Sequence, residues 1–104
     1  MSIRLVTIGD SLTGHQALEY KLGIGPGQHV IMMLGADDTS AAFNLTAPEQ
    51  AEAFFNSATQ GNRFEGDLAE AGTYTIRVYL LDEAARRNEP VDFTLKGEIR
   101  PTAP

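Results

Sequence analysis

The sequence predicts an all-β protein, an antiparallel β-sandwich of seven or eight short strands. Apolar residues recur at every second position, as along a strand with one buried face. Glycine, proline, asparagine and aspartate interrupt this pattern at short intervals, and no segment has the periodicity of a long helix. Strands joined by such short connections must run antiparallel. We therefore expect a sandwich of Greek-key or jelly-roll type.

Seven segments have a strand-like sequence, and residues 51–57 fit either a strand or a helical turn. The seven are 3–8, 18–22, 30–34, 43–47, 63–68, 73–81 and 91–96. Residues 30–34 are apolar on both faces, which predicts a central strand, whereas 18–22 predicts one solvent-exposed face. Turns are expected where Gly, Pro, Asn and Asp cluster, at 9–10, 23–27, 35–40 and 60–62.

Composition indicates a single globular domain covering residues 1–104. The chain is 42% hydrophobic and 21% charged, which suits a modest core. No apolar run has the length needed to span a bilayer, so membrane insertion is not expected. The net charge of -6 disfavours nucleic acid and favours a basic protein partner. The absence of cysteine excludes disulfide bonds and thiolate metal sites.

The most informative segment is the strand at 73–81 with the charged loop after it. This loop contains Arg86 and Arg87, two of only eight basic residues in a chain with fourteen acidic ones. Asp82 and Glu83 precede them, an order that complements the dipole of one helical turn and explains the charges without a function. The alternative is that a pair of guanidinium groups on an acidic protein binds a specific anionic target.

Residues 4–13 resemble the opening of a GDSL-type esterase, in which Ser11 would be the nucleophile. That chemistry needs a histidine base oriented by a carboxylate. The chain offers only His15 and His29, in different predicted elements, and no Asp-x-x-His motif near its C-terminus. The esterase fold also alternates strands with helices. We therefore expect the protein not to be an enzyme.

Other motifs carry weak signals for metals or phosphate. Asp37-Asp38 has calcium-binding chemistry but also suits a solvated turn. The glycines of 23–27 do not make a phosphate loop, because Pro26 interrupts them and no helix follows. No metal ion and no cofactor are therefore expected.

A series of short motifs covers most of the chain. In order they are 13–14, Tyr20, 25–28, 43–48, 61–66, 72–80 and 84–89. The last two, GTYTIRVYL followed by AARRNE, are the most distinctive. Together the motifs resemble the bacterial periplasmic inhibitors of goose-type (g-type) lysozyme, a β-sandwich family related in architecture to pre-peptidase C-terminal domains.

The resemblance implies a non-catalytic protein whose loops occupy the active-site cleft of a muramidase. Such clefts contain catalytic carboxylates, which a guanidinium can bind through two parallel hydrogen bonds. The role falls first on Arg86 and second on Arg87. Tyr79 is expected on the outward face of its strand, where tyrosine beside arginine is typical of binding hot spots. Asp82 and Asn88 complete the candidate partner-binding residues.

Asp82 departs from the family pattern, in which an arginine often stands four residues before Arg86. A carboxylate there repels a catalytic carboxylate or pairs with Arg86 across one helical turn. Two alternatives therefore stay open: a diverged inhibitor with another target, and an accessory or carbohydrate-binding module without inhibitory activity. The resemblance implies a periplasmic or secreted protein whose leader is absent from this sequence; a cytoplasmic location is the alternative. The sequence leaves the oligomeric state open.

Overall fold

A computed structural model describes residues 3–36, 41–68 and 70–101 and confirms an all-β sandwich. Two four-stranded antiparallel sheets pack face to face, in the orders β1-β8-β3-β6 and β2-β7-β4-β5. The elements are β1 (Arg4–Leu12), β2 (Ala17–Ile24), β3 (Gln28–Ala36), β4 (Ala41–Thr46), β5 (Phe55–Asn56), α1 (Ser57–Gln60), β6 (Arg63–Leu68), β7 (Gly72–Leu80), α2 (Asp82–Arg87) and β8 (Val91–Pro101). Neither helix in these ranges is long and apolar enough to cross a membrane.

The strand order is that of a jelly roll. The first half of the chain pairs with the second, since β1 pairs with β8, β2 with β7, β3 with β6 and β4 with β5. The β1–β8 and β3–β6 pairs lie in one sheet, and the β2–β7 and β4–β5 pairs lie in the other. As a result β8 also pairs with β3, and β7 also pairs with β4. Of the two topologies expected from the sequence, the jelly roll is the one observed.

The core between the sheets is filled by alternate side chains, as the two-residue periodicity predicts. In β7, Tyr74, Ile76, Val78 and Leu80 are buried while Arg77 is exposed. Burying each aliphatic side chain of this size contributes about 1.5–3 kcal/mol. The largest fully buried side chains are Phe43, Leu12, Met32, Ile76, Leu95, Ile99, Val30 and Val78.

The expected turn at 9–10 is wrong, because β1 continues to Leu12. Gly9 and Asp10 remain paired with Thr94 and Phe93 of β8. Leu12 is completely buried, so the strand must extend far enough to deliver this side chain to the core. The chain turns only at residues 13–16.

The segment from 51 to 62 contains a short strand and a short helix and passes from one sheet to the other. Residues 55–56 form β5 and residues 57–60 form α1, which together settle the ambiguity of 51–57. β5 pairs with β4, whereas β6 pairs with β3, so the turn at 60–62 carries the chain from one sheet to the other. Buried Ser57 secures the crossing, because its Oγ accepts a 2.8 Å hydrogen bond from the Phe43 N–H.

Three further expectations are adjusted by the structure. β3 is an inner strand as expected, but Met33 on its outward face is 42% exposed, because only one face of the sheet is covered. Gly35 and Ala36 extend β3 instead of turning. The rest of that predicted turn, with Asp37-Asp38, lies outside the described residues. The turn predicted at 23–27 begins only at Gly25, since β2 continues to Ile24.

Gly72 is the first residue of β7, and its backbone conformation is one that residues with a side chain rarely adopt. Its φ is 143°, and a Cβ there would lie 2.6 Å from Pro48 Cγ and 2.9 Å from Pro48 Cβ. We expect Gly72→Ala to lower the free energy of unfolding by about 1–3 kcal/mol, through backbone strain and a clash with a rigid ring. Urea unfolding measures this value.

Gly23→Ala is the matched control for this substitution. Gly23 lies in β2, and a Cβ there would meet nothing within 4 Å. Its unfolding free energy should stay within about 0.5 kcal/mol of the wild type. Equal losses for the two variants would contradict the proposed role of Gly72.

Candidate functional site

The charged loop and a second loop meet at one end of the sandwich. Leu12 pairs with Val91, and Ala17 pairs with Tyr79, so the β1–β2 and β7–β8 connections leave the sheets at the same end. We call these two connections, residues 13–16 and 81–90, the arginine tip. The shorter connection is itself ordered by hydrogen bonds: the Gln16 N–H donates to the Thr13 carbonyl oxygen at 3.4 Å.

α2 carries the charges of the arginine tip in the order expected from the sequence. Asp82 and Glu83 lie in its first turn and the two arginines in its last, so both ends interact favourably with the helix dipole. Ala84 and Ala85 form the buried face and anchor the helix to the core. The charged side chains are therefore left on the solvent side of a fixed element.

Asn88 ends α2 and packs against the other loop of the arginine tip. It adopts the left-handed conformation (φ 55°, ψ 33°), and its N–H donates to the Ala85 carbonyl oxygen at 3.2 Å. Asparagine tolerates this conformation better than most residues. A Cβ on buried Gly14 would lie only 3.0 Å from Asn88 Oδ1, so the two residues pack closely. The structure thus gives Asn88 a clear architectural role; its contact with a partner stays a prediction.

Arg86 pairs loosely with Asp82, one helical turn before it. Arg86 Nη2 lies 3.6 Å from Asp82 Oδ2, and the two side chains are 74% and 80% exposed. A charge-assisted hydrogen bond is shorter, about 2.7–2.9 Å. An exposed pair of this kind contributes only about 0.3–0.5 kcal/mol. Asp82 therefore lowers the local positive charge but leaves the Arg86 guanidinium accessible.

Tyr79 lies on the outward face of β7, as expected, but its hydroxyl group forms hydrogen bonds to side chains of the same sheet. Its Oη donates to Asn56 Oδ1 at 3.0 Å, with Asn44 Oδ1 at 3.4 Å as a second acceptor. Tyr79 borders a shallow groove below the arginine tip, which is also lined by His15, Gln16, Asn44, Arg77 and Leu80. Sequence reasoning missed His15, Gln16 and Asn44 as groove residues. His15 and Gln16 lie in the β1–β2 connection and Asn44 lies in β4, and only the strand register brings these two parts of the chain together.

Comparison with solved structures decides the family of this chain. The periplasmic inhibitor of g-type lysozyme PliG from Aeromonas hydrophila superposes with a TM-score of 0.81 and 31% sequence identity, over 92% of this chain and 86% of that chain. This chain belongs to the PliG family. No protein-family model and no curated protein sequence matches it.

More distant structures share the fold of this PliG-family chain. Salmonella Typhimurium PliG, also a periplasmic inhibitor of g-type lysozyme, superposes with a TM-score of 0.72 at 18% identity, over 92% of this chain and 87% of that one. The pre-peptidase C-terminal domain of a Bacillus anthracis collagenase gives a TM-score of 0.67 at 20% identity, over 88% and 87% of the two chains. Both relationships expected from the sequence motifs are thereby confirmed.

Ser11 is not arranged as a nucleophile in this PliG-family chain. It lies in β1, where its N–H donates to Asp10 Oδ1 at 2.9 Å. Within the described residues no hydrogen bond joins Ser11 Oγ to His15 or His29. The serine–histidine contact of a catalytic triad is therefore not formed among these residues.

His29 is bound by two carboxylates on the outward face of the sheet formed by β1, β8, β3 and β6. Its Nδ1 lies 2.6 Å from Asp67 Oδ1 and its Nε2 lies 2.9 Å from Glu65 Oε2. Ionised carboxylates only accept hydrogen bonds, so the two bonds together require an N–H on each ring nitrogen, as in the cationic imidazole. The hydrogen bonds to Asp67 and then to Glu65 raise the pKa of His29. Hydrogen bonds from His29 and then Arg63 lower the pKa of Glu65.

In the cationic form His29 has no lone pair for a metal ion. In the ranges that the structure describes, no group of three or more His, Asp or Glu side chains has the geometry of a metal site.

The PliG-family chain should lose stability as pH rises because of His29. A raised pKa in the folded state means that the stabilising contribution is complete below the unfolded value of about 6.5. It is lost as pH rises from there through the folded pKa. We expect urea midpoints measured between about pH 6 and pH 9 to fall in the wild type and to fall less in His29→Gln.

His15→Gln is the control for that experiment. His15 lies at the arginine tip and makes no ion pair among the described residues. The quantity compared is the slope of the urea midpoint against pH. If this slope is unchanged in His29→Gln, or reduced equally in both variants, the contacts of His29 with Asp67 and Glu65 do not set the pH dependence.

Proposed function

We propose that this protein is a non-catalytic inhibitor of g-type lysozyme that places its arginine tip in the enzyme's active-site cleft. Membership of the PliG family supports the class of target, since the Aeromonas relative is an inhibitor of g-type lysozyme. The observation that carries the proposal is the placement of Arg86. Its side chain is exposed at the end of a helix whose opposite face is fixed in the core.

The chemistry of the two surfaces is complementary. A cleft that hydrolyses glycosidic bonds contains catalytic carboxylates. The planar guanidinium of arginine can donate two parallel hydrogen bonds to one carboxylate, which the ammonium of lysine cannot do. Because α2 is already anchored by Ala84 and Ala85, little conformational entropy of the backbone is lost on binding. Arg86 is the primary contact in this proposal, and Arg87 is the second.

Asp82 moderates this interaction. Its carboxylate lies beside Arg86 and would approach the acidic groups of the cleft together with it. The Asp82–Arg86 pair is long and exposed, so it can separate at small cost when a stronger acceptor is offered. Asp82 therefore reduces affinity for an acidic cleft without preventing the contact.

The groove beneath the arginine tip favours a second candidate function, carbohydrate binding. Its amide, imidazole and guanidinium groups, with the edge of Tyr79, are the polar groups that bind sugar hydroxyls. Isothermal titration with a peptidoglycan oligosaccharide tests this candidate. Binding that is abolished by Arg77→Ala but retained by Arg86→Ala would support the groove as a separate sugar site.

A periplasmic location follows from the same proposal. The Aeromonas and Salmonella relatives are both periplasmic proteins. Fractionation of the native host with an antibody against this protein tests this location.

Arg86→Ala should abolish most of the inhibition. A buried guanidinium–carboxylate contact at an interface contributes about 2–4 kcal/mol, so the inhibition constant should rise by about 30- to 1000-fold. Lysis of a bacterial suspension by a g-type lysozyme, measured against inhibitor concentration, provides this constant. Arg87→Ala should raise it by a smaller factor.

Arg100→Ala is the matched control, because it removes the same charge at the far end of β8. In the strand register Arg100 lies opposite His29 of β3, near the end of β8, whereas the arginine tip adjoins Val91 at its start. Its inhibition constant should match that of the wild type. If the wild-type protein leaves lysis unaffected at about 50 µM, well above the affinities of specific inhibitors, the proposed function is wrong.

Asp82→Asn should strengthen inhibition severalfold. The substitution removes the charge that opposes an acidic cleft and frees Arg86 from its partner, while the size of the side chain is retained. Glu83→Gln makes the same change of net charge at the next position of α2 and should have a smaller effect. Weaker inhibition by Asp82→Asn would instead show that this carboxylate binds a cation of the target.

A further inference from the structure

β1 forms an edge of its sheet and presents an unusually accessible apolar surface. It is nine residues long and pairs with β8 on one side, while no described strand pairs with its other side. Leu5 in β1 is 74% exposed, and Ile3 just before the strand is 54% exposed. An edge of this length with exposed apolar residues is a template for pairing with another strand.

The sequence of β1 is complementary to itself when two copies pair antiparallel about a two-fold axis at Thr7. Arg4 of each copy then lies opposite Asp10 of the other, and Val6 lies opposite Ile8. Residues that pair in this register differ by an even number of positions, so their side chains lie on the same face. A two-fold interface makes every such contact twice.

Neighbouring registers do not have this complementarity. An axis at Val6 places Arg4 opposite Ile8, and an axis at Ile8 places Asp10 opposite Val6. Each of these arrangements leaves charges opposite aliphatic side chains. Only the axis at Thr7 pairs the two charges with each other, and side-chain patterning of this kind specifies strand register.

The side-chain volumes also fit this register. Leu5 lies opposite Gly9 on the outward face. A Cβ on Gly9 would meet only the Phe93 carbonyl oxygen, at 4.0 Å, so the space above Gly9 is open. The exposed leucine of one copy can therefore cover the glycine of the other.

Arg4 and Asp10 already lie at the open edge. The Arg4 guanidinium donates to the Gly23 carbonyl oxygen, and Tyr20 Oη donates to Asp10 Oδ2 at 3.2 Å. Both bonds are exposed and join β1 to β2, the edge strand of the other sheet. Charges on the inner side of an edge strand oppose pairing with unrelated strands, because a strand without matching charges would remove them from water. In the two-fold register they are matched, which makes the edge selective.

We propose that β1 is a dimer interface for a second copy of this chain. Two four-stranded sheets join through β1 into one continuous sheet of eight strands. The main-chain hydrogen bonds between the two edges provide affinity, and the Arg4–Asp10 pairs select the register. Because the paired strands run antiparallel, the two arginine tips lie at opposite ends of the dimer. The interface is therefore independent of the proposed contact with lysozyme.

A charge-swap experiment tests the dimer. Sedimentation velocity is measured for the wild type, Arg4→Asp, Asp10→Arg and the double variant Arg4→Asp/Asp10→Arg. Each single variant places like charges opposite each other and should weaken dimerisation at least about tenfold. The double variant restores opposite charges in every pair and should recover the dimer.

Recovery in the double variant distinguishes the dimer contact from effects within one chain. Arg4 and Asp10 are six residues apart along one strand, about 20 Å, so they cannot pair with each other in the same chain. The double variant also does not restore the bonds to Gly23 and Tyr20. Recovery therefore reports a contact between copies.

Thr7→Glu provides a second test if the charge variants fold poorly. Thr7 is exposed and pairs with Lys96 of β8, so a glutamate there has an attractive neighbour within its own chain. On the two-fold axis, however, it places two carboxylates against each other and should give a monomer. The proposal is overturned if the wild type is monomeric up to about 1 mM, if the single variants and Thr7→Glu remain dimeric, or if the folded double variant stays monomeric.

Discussion

The geometry of the candidate site depends on the burial of two alanines. Ala84 and Ala85 let α2 lie directly against the core, because their side chains are too short to hold the helix away from it. The same short helix would have little stability alone, since isolated helices of this length do not persist in water. Packing of Ala84 and Ala85 against the core supplies the stability that the helix propensity of six residues cannot. Arg86 therefore projects from a fixed backbone instead of a mobile loop.

Polar interactions are distributed so that each serves a different part of the sandwich. At the arginine tip, Asn88 packs closely against Gly14 of the other loop, and Asp82 lowers the positive charge beside Arg86. On the outward face of one sheet, Asp67 and Glu65 of β6 bind His29 of β3 and so tie an edge strand to an inner one. The first group sets the shape and charge of the arginine tip, and the second makes the stability of the sheet depend on pH.

The strands were predictable where one face is buried and the other is wet, because alternation is then visible in the sequence. The errors arose where tertiary contacts overrode local signals. Gly9 and Asp10 have strong turn propensity, yet pairing with β8 and the burial of Leu12 keep them extended. At 60–62 the turn residues were recognised correctly, but no local signal states whether the next strand joins the same sheet.

The candidate site was predictable to a similar extent. The charge order of α2 and the outward direction of Tyr79 follow from the sequence alone. The groove beside Tyr79 does not, since Asn44 and Arg77 become neighbours only through the pairing of β4 with β7. Residues on one continuous segment can be assigned from their order, whereas a surface assembled from several strands requires the register.

The close packing of Gly14 against Asn88 separates the residues that shape the arginine tip from those that give it chemical character. These two residues pack closely where the two loops meet, and both have a positive φ. The side chains of Asp82, Glu83 and Arg86 are exposed on the solvent side of α2. Changes at these three positions can therefore alter the charge of the arginine tip while the glycine and the asparagine keep its shape.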